Sequence, residues 1–465
     1  MPMYEWGIEN GTIWLPSGPV AGHLYGQGSQ IDAISRRIRP AKNRWDVTGC
    51  EVLPGAIDAH VHSRDPGWPD KEDIVHSTAA AAMGGVTTIL EMPNSLPPVR
   101  DIDTFGQRVE AFDGRSYVDF GLWSLWVPGM DESWLDSLIE TGTVGFKVFW
   151  GYALDAKTLS LVYDWHHYDQ PVVNPPTVGD VLEFLEMLPD RGPVVAVHAE
   201  DATIIGQRQR HAKPGVTGYQ QVLWEHPAIA EDSLIATLIE LARVSQAPVH
   251  IVHLASANML NKIDQARSEG VNISVETAPH YLLWNAMDIE AFEGWGKVFP
   301  PIREVEHQNR LVDGLRKGTI DMIASDHAPH HPREKAQGWG QARAGMASVQ
   351  MGLLTLIHLA AQGWLPFERI PVLSSLAPAK RFGLWPHKGS LQVGADADMV
   401  IVDRRAVTYL DQEVLKTKHP QPPWLHQTLQ GRIQYVFLRG RPLVQQGDFE
   451  NGIPARGQFI RPVWS

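Results

Sequence analysis

Along the middle of the chain, short apolar runs rich in β-branched residues alternate with longer helix-forming stretches, the rhythm of strands each followed by a helix. Eight such runs stand out, over residues 55–62, 86–92, 118–125, 145–150, 194–200, 249–255, 272–279 and 321–328. Repeated βα units of this kind predict an α/β fold with a parallel sheet, and eight of them close into a (β/α)8 TIM barrel. The active site of such a barrel lies at the C-terminal ends of its strands. Residues 1–53 and 386–465 have a different texture, polar and apolar residues alternating between Gly and Pro punctuation, as in Leu391-Gln-Val-Gly-Ala-Asp-Ala-Asp-Met-Val-Ile-Val-Asp403. They predict one small β-sandwich domain assembled from both termini, with the barrel domain, residues 54–385, inserted between them. The irregular segment His166–Thr177 reads either as a lid over the barrel mouth or as an ordinary surface loop.

Composition narrows the classes without naming one. The 465 residues carry a formal charge of −13 and no basic cluster, so nucleic acid and anionic membranes are not expected partners. The one cysteine, Cys50, excludes an internal disulfide and fits a reducing, cytoplasmic setting. No export signal is expected from Met-Pro-Met-Tyr-Glu-Trp, and the apolar run 351–361 is too short to span a bilayer and contains His358. The 17 tryptophans are scattered, which suits packing better than a stacking surface. A small-molecule enzyme, working as a homo-oligomer (dimer or tetramer), is the expectation.

The chemistry begins with Pro54-Gly-Ala-Ile-Asp-Ala-His60-Val-His62-Ser-Arg64. On an extended strand, residues two apart share a face, so His60 and His62 can converge on one cation. Lys147 sits within the apolar strand Gly145-Phe-Lys-Val-Phe-Trp150. A buried amine there either reaches solvent or loses its charge, and a neutral amine can take up carbon dioxide as a carbamate able to bridge two metals. His198, His253 and Asp326 each end a further apolar run, whereas His250, three residues before His253, points to the opposite face. The groups His60, His62, Lys147, His198, His253 and Asp326 gather at one barrel end and exceed a single four-ligand shell. Nitrogen and oxygen ligands without thiolate suit zinc, so the expectation is two Zn2+ ions bridged by carboxylated Lys147 and a hydroxide. Asp326 is expected to act as general base toward the attacking water and then as general acid toward the leaving nitrogen.

These segments, together with Gly84-Gly-Val-Thr-Thr, Met92-Pro-Asn, Glu276-Thr-Ala-Pro-His-Tyr-Leu, Pro300-Pro-Ile-Arg303, Ser325-Asp-His-Ala-Pro-His330 and Gly394-Ala-Asp-Ala-Asp398, resemble the cyclic-amide branch of the amidohydrolase superfamily. That branch contains dihydroorotases, allantoinases and hydantoinases or dihydropyrimidinases. The resemblance implies a small cyclic amide or ureide as substrate, and the ligand set above. It also implies substrate contacts from Arg64, Asn94 and His330, the positions with which dihydroorotases hold a carboxylate. Tyr152 resembles the tyrosine with which hydantoinases hydrogen-bond the carbonyl under attack. Pro300-Pro-Ile-Arg303 and Ala344-Gly-Met-Ala-Ser-Val-Gln350 look more like allantoinases and hydantoinases. A dihydroorotase-like activity, dihydroorotate to N-carbamoyl-aspartate, is the leading expectation, with allantoinase or hydantoinase as the alternative. A non-catalytic scaffold of the same fold is the remote one, since such scaffolds lack ligands and here none is missing.

Overall fold

Residues 4–54 form five strands, β1 (Tyr4–Leu15), β2 (Gly18–Gln27), β3 (Gln30–Ser35), β4 (Ala41–Asp46) and β5 (Glu51–Pro54). This is a computed structural model, and it describes residues 3–163, 165, 168–188, 192–211, 213–450 and 452–464. One residue beyond β5 the chain enters the barrel, through β6 (Ala56–Val61), β7 (Val86–Glu91), β8 (Asp119–Leu125) and β9 (Gly145–Trp150). After β9 come three short strands, β10 (Ala153–Asp155), β11 (Leu161–Val162) and β12 (Val172–Val173), which form a small antiparallel sheet of their own. The barrel resumes with β13 (Val194–Ala199), β14 (Val249–Ile251), β15 (Ile273–Thr277) and β16 (Met322–Ile323). The chain ends with β17 (Met399–Tyr409), β18 (Thr428–Leu438), β19 (Arg441–Gln445) and β20 (Asp448–Phe449).

The barrel strands pair in parallel in chain order from β6 to β16. Every residue of these strands is buried, as expected where helices cover the outer face and side chains fill the interior. The ring closes just past β16, where Val61 bridges His327 and the His62 amide donates to the His327 carbonyl at 2.8 Å. Asp58 secures the same seam, its Oδ1 accepting from the amides of His60 and Ser325 at 3.2 and 3.0 Å.

The second domain draws on both termini, as the sequence implies. Its strands are joined edge to edge in one nine-stranded sheet, with β17 beside β5 and β4 alongside the first half of β1. Trp6, Ile8, Leu24 and Val52 share one hydrophobic cluster with Met399, Ile401 and Phe437, so neither terminus has a core without the other. The final stretch departs from the expected sandwich segment 386–465. Phe459 bridges Phe120 of β8, and Ile460 donates to the Phe120 carbonyl at 2.9 Å, so the tail belongs to the barrel wall. Where the domains meet, Lys388 is buried among Asp119, Asp396 and Asp398, with Nζ to oxygen distances of 2.6, 2.9 and 2.7 Å. Arg439 also pairs with Asp119, so this acidic group already holds its cations in side-chain form.

His166 and His167 of the expected irregular segment lie outside the described residues. Its remainder contains β12, which pairs with β10 beside the barrel mouth.

Candidate active site

The strand ends are bent where the chemistry sits. Arg64, His253 and Asp326 have φ of 64°, 37° and 45°, a left-handed conformation that non-glycine residues rarely adopt. Such strain is held in place by surrounding structure and clusters at functional positions. It also shortens the sheet: β14 ends two residues before His253 and β16 three before Asp326, turning both side chains inward from the strand axis. Gly151, at φ 136°, serves the same purpose after β9. A Cβ there would lie 2.0 Å from the Glu200 carbonyl oxygen, so only glycine lets the chain pass and present Tyr152 to the pocket.

His60, His62 and Asp326 come together. The Nε2 atoms of His60 and His62 lie 3.4 and 3.7 Å from Asp326 Oδ1. Each imidazole is aimed from behind: His60 Nδ1 donates to Glu276 Oε1 at 2.6 Å, and His62 Nδ1 to Asn94 Oδ1 at 2.6 Å. With the hydrogen fixed on Nδ1, the Nε2 lone pair is left for a cation, the usual arrangement behind a metal-bound histidine. Burial depresses the basicity of both rings, so they stand neutral, as ligands must.

Lys147 and the second histidine pair face the same cavity. Lys147 is 0 % exposed, and its Nζ has no hydrogen-bond partner. Burial draws its amine far below the usual lysine range and pushes the Asp326 carboxyl up. His198 Nδ1 and His253 Nε2 approach to 2.8 Å, while His198 Nε2 donates to Glu200 Oε2 at 3.1 Å. A buried amine without a partner, two imidazole nitrogens converging on one point and a three-ligand cluster beside them fit a cation centre. Ligand atoms of His60, His62 and Asp326 all lie within 4.8 Å of one another.

The residues expected to touch substrate divide into two sets. Arg64, Asn94 and Tyr152 line the cavity with the ligand residues; His330 does not, and faces an adjoining chamber. Asn94 spends its carbonyl oxygen on His62. His330 is tied down by Ala344, Nε2 donating to its carbonyl at 3.0 Å, while Nδ1 faces Lys71 Nζ at 3.4 Å, an amine that also pairs with Glu334. The three residues expected to hold a carboxylate, Arg64, Asn94 and His330, all line that adjoining chamber, and Arg64 Nη2 lies 3.4 Å from His330 Nε2. Arg64 does not pair with Asp65 at the rim; Asp65 is held by Arg115. The Tyr152 hydroxyl donates to Glu200 Oε2 at 2.9 Å rather than standing free.

Two carboxylates that support this site were not singled out from the sequence. Glu276, on β15, receives His60, His250 and the amide of His253. His250 is no member of the converging set, as its alternation indicates, yet it steadies the carboxylate that aims His60. Glu200 receives Tyr152, His198 and, at 3.2 Å, His226 Nδ1. Its signal was present: Glu200 lies two residues after His198, hence on the same face of the strand.

Residues 52–443 match the model of the amidohydrolase family. A protein of Deinococcus radiodurans named allantoinase is 34 % identical over 98 % of both chains, and one of Solibacter usitatus with the same name is 33 % identical over 99 % of this chain and 97 % of its own. Among solved structures, the L-hydantoinase (dihydropyrimidinase) from Arthrobacter aurescens superposes with a TM-score of 0.91 at 28 % identity, covering 99 % of this chain and 100 % of that one. The match to the family model over most of the chain, and to whole-length relatives, settles the matter of kinship: this chain belongs to the amidohydrolase family.

Proposed function

We propose that the enzyme opens a cyclic ureide, a hydantoin-type ring, by hydrolysis of a ring C–N bond, in the manner of an allantoinase or hydantoinase. The observation that carries this reading is the convergence of His60, His62, Lys147, His198, His253 and Asp326 on one cavity at the C-terminal end of the barrel. The relatives' names favour allantoinase and hydantoinase over the dihydroorotase-like activity expected first.

His60, His62 and Asp326 would hold one cation, and His198 and His253 a second. Lys147, carboxylated on Nζ, would lend an oxygen to each, and a donor set without thiolate suits zinc. Bound there, two such ions would lower the pKa of a water and polarise the amide carbonyl. The remaining work falls to the chain. Asp326 takes a proton from the attacking water and passes it to the departing ring nitrogen, so that the products are a carboxylate and a free ureido nitrogen. Tyr152 turns its hydroxyl hydrogen from Glu200 toward the carbonyl oxygen as negative charge gathers there. Leu161, Phe149 and Phe299 wall the cavity and limit water around the ring.

The test is a panel of allantoin, hydantoin, dihydrouracil, dihydroorotate and a cyclic imide, assayed with zinc-loaded enzyme alongside metal analysis. Turnover of a hydantoin-type ring well above the rest is the expected result. Preference for dihydroorotate would restore the first expectation. Less than about half a zinc per chain, unrestored by zinc and bicarbonate, would overturn the binuclear reading.

A further inference from the structure

One side chain reaches the active site from a helix corner and touches two of its parts at once. His226 stands directly after the helix Tyr219–Glu225, with Pro227 and the long helix Ala228–Ser245 following. It is 3 % exposed, and its backbone is fixed on both sides: the amide donates to the Val222 carbonyl at 2.9 Å, and the carbonyl accepts from Arg303 Nη1 at 2.6 Å. Arg303 in turn lies 3.4 Å from Glu231, whose carboxylate takes the amides of Ala255 and Ser256 at 2.9 Å each, just beyond His253.

The His226 ring is engaged by its edge and by its face. On the edge, Nδ1 donates to Glu200 Oε1 at 3.2 Å. An ionised carboxylate only accepts, which puts the hydrogen on Nδ1. The other oxygen, Oε2, takes the Tyr152 hydroxyl at 2.9 Å and His198 Nε2 at 3.1 Å. Glu200 is fully buried, and among the described residues His226 is the one donor to Oε1, so this ring governs how the carboxylate is turned toward the other two. On the face, the ring stacks on Phe299, with centroids 3.8 Å apart and planes 18° from parallel. Phe299 walls the catalytic cavity on one side and a further chamber of about 440 Å³ on the other. His226 lines that second chamber and not the cavity, so it acts through Glu200 and Phe299 rather than by touching the ring to be opened.

We infer that His226 is a positioning residue for ring opening: its Nδ1–H aims Glu200, and with it the Tyr152 hydroxyl and the His198 ring, while its face holds Phe299 against the cavity. The part that concerns turnover rests on the hydantoin-type reading above; the aim of Glu200 toward His198 does not. A hydrogen bond to a buried carboxylate is stronger than a neutral one, and stacked rings gain more than the area they bury, so each contact is large enough to be read by substitution.

The experiment sets His226→Phe, which keeps the face and removes the donor, against His226→Asn, whose side-chain amide can stand in for Nδ1–H but offers no ring. Turnover of the hydantoin-type ring that the enzyme opens fastest is measured, together with zinc affinity by competition with a chromophoric chelator. His226→Phe is expected to lower kcat about tenfold with KM held, and to weaken zinc about tenfold at one of the two sites. His226→Asn should keep kcat and zinc affinity within about twofold of wild type and raise KM about two- to tenfold, the worth of the lost stack. His226→Ala should show both losses, and keeps the inference testable if His226→Phe does not fold. Lowered urea stability with kcat, KM and zinc affinity all unchanged is what packing alone would produce, and would overturn the role. So would a fall of kcat and zinc affinity as large in His226→Asn as in His226→Phe. If the wild type opens no cyclic ureide, the hydantoin reading falls by itself, and the Glu200 part is then decided by zinc: weakened binding in His226→Phe upholds it and unchanged binding overturns it.

Discussion

Replacing Glu276 with glutamine is expected to loosen metal before it loosens the fold. The carboxylate is buried and takes three donors: His60 Nδ1 at 2.6 Å, His250 Nε2 at 3.0 Å and the His253 amide at 3.2 Å. Burial opposes its charge, but the His60 and His250 rings hold it well below the usual carboxylate range. Glutamine keeps the volume and one acceptor oxygen. Its amide hydrogens then face His250, which can accept them by moving its own hydrogen to Nδ1, where the Ser274 hydroxyl at 2.7 Å is able to accept it. The fold should therefore lose only about 1 kcal/mol, one ordinary hydrogen bond. His60, by contrast, loses the charge that makes it a strong ligand, and removal of such a partner costs 10- to 100-fold in metal affinity, or about 1.4–2.7 kcal/mol. Competition of zinc against a chromophoric chelator reads the affinity, and urea unfolding of the metal-free protein reads the fold. Glu276→Ala is the contrasting variant, leaving three buried donors unsatisfied at about 1–3 kcal/mol each, enough to unfold much of the population. Zinc binding by Glu276→Gln within twofold of wild type would show that Glu276 merely fastens strands together, and would refute His60 Nε2 as a ligand aimed from behind.

Other outcomes follow from the same contacts. Asp326→Asn is expected to abolish turnover while metal stays bound, since an oxygen ligand remains and the proton acceptor does not; wild-type turnover would end the proton-transfer role. Tyr152→Phe should lower kcat about 10²- to 10³-fold with little change in KM, as for removal of an oxyanion donor, whereas a change in KM alone would reduce Tyr152 to packing against His198. Lys388→Met leaves Asp119, Asp396 and Asp398 together without their shared cation, and should cost about 3–5 kcal/mol in urea unfolding; an unaltered midpoint would show that Arg439 alone suffices.

The barrel was legible because its strands are buried on both faces and so read as unbroken apolar runs between glycines and polar helices. The eight expected runs overlap β6, β7, β8, β9, β13, β14, β15 and β16 in order. Where they overshoot, the cause is local. The sixth run was expected to reach residue 255 and the eighth residue 328, but His253 and Asp326 leave the extended conformation, and the ladders stop short of them. Apolar patterning cannot report a residue whose backbone is bent to serve a side chain. The tail pairing with β8 was hidden for another reason. Residues 457–460 hold a short mixed sequence whose partner lies more than 330 residues away, as in the Gln458 amide to Asp119 bond.

The ligand-type residues were legible for the same reason as the strands: a histidine, lysine or aspartate at the end of an apolar run is conspicuous because its burial must be compensated. The residues that compensate them are harder to see. Glu276 lies inside the seventh run, where the sequence offers no ligand to draw attention to it, and its three donors come from β6, β14 and the turn beyond β14. A motif such as His-x-His specifies which atoms face the cavity. What surrounds the ring is decided by loops whose meeting depends on single backbone conformations, such as Gly151 beside Glu200 and Gly345 beside Ala328. The same logic applies to Arg64, Asn94 and His330: the residue types are legible and all three line one chamber beside the cavity, but pattern alone could not tell that Asn94 Oδ1 accepts from His62 and that His330 donates to the Ala344 carbonyl, so that each positions the site as well as facing it.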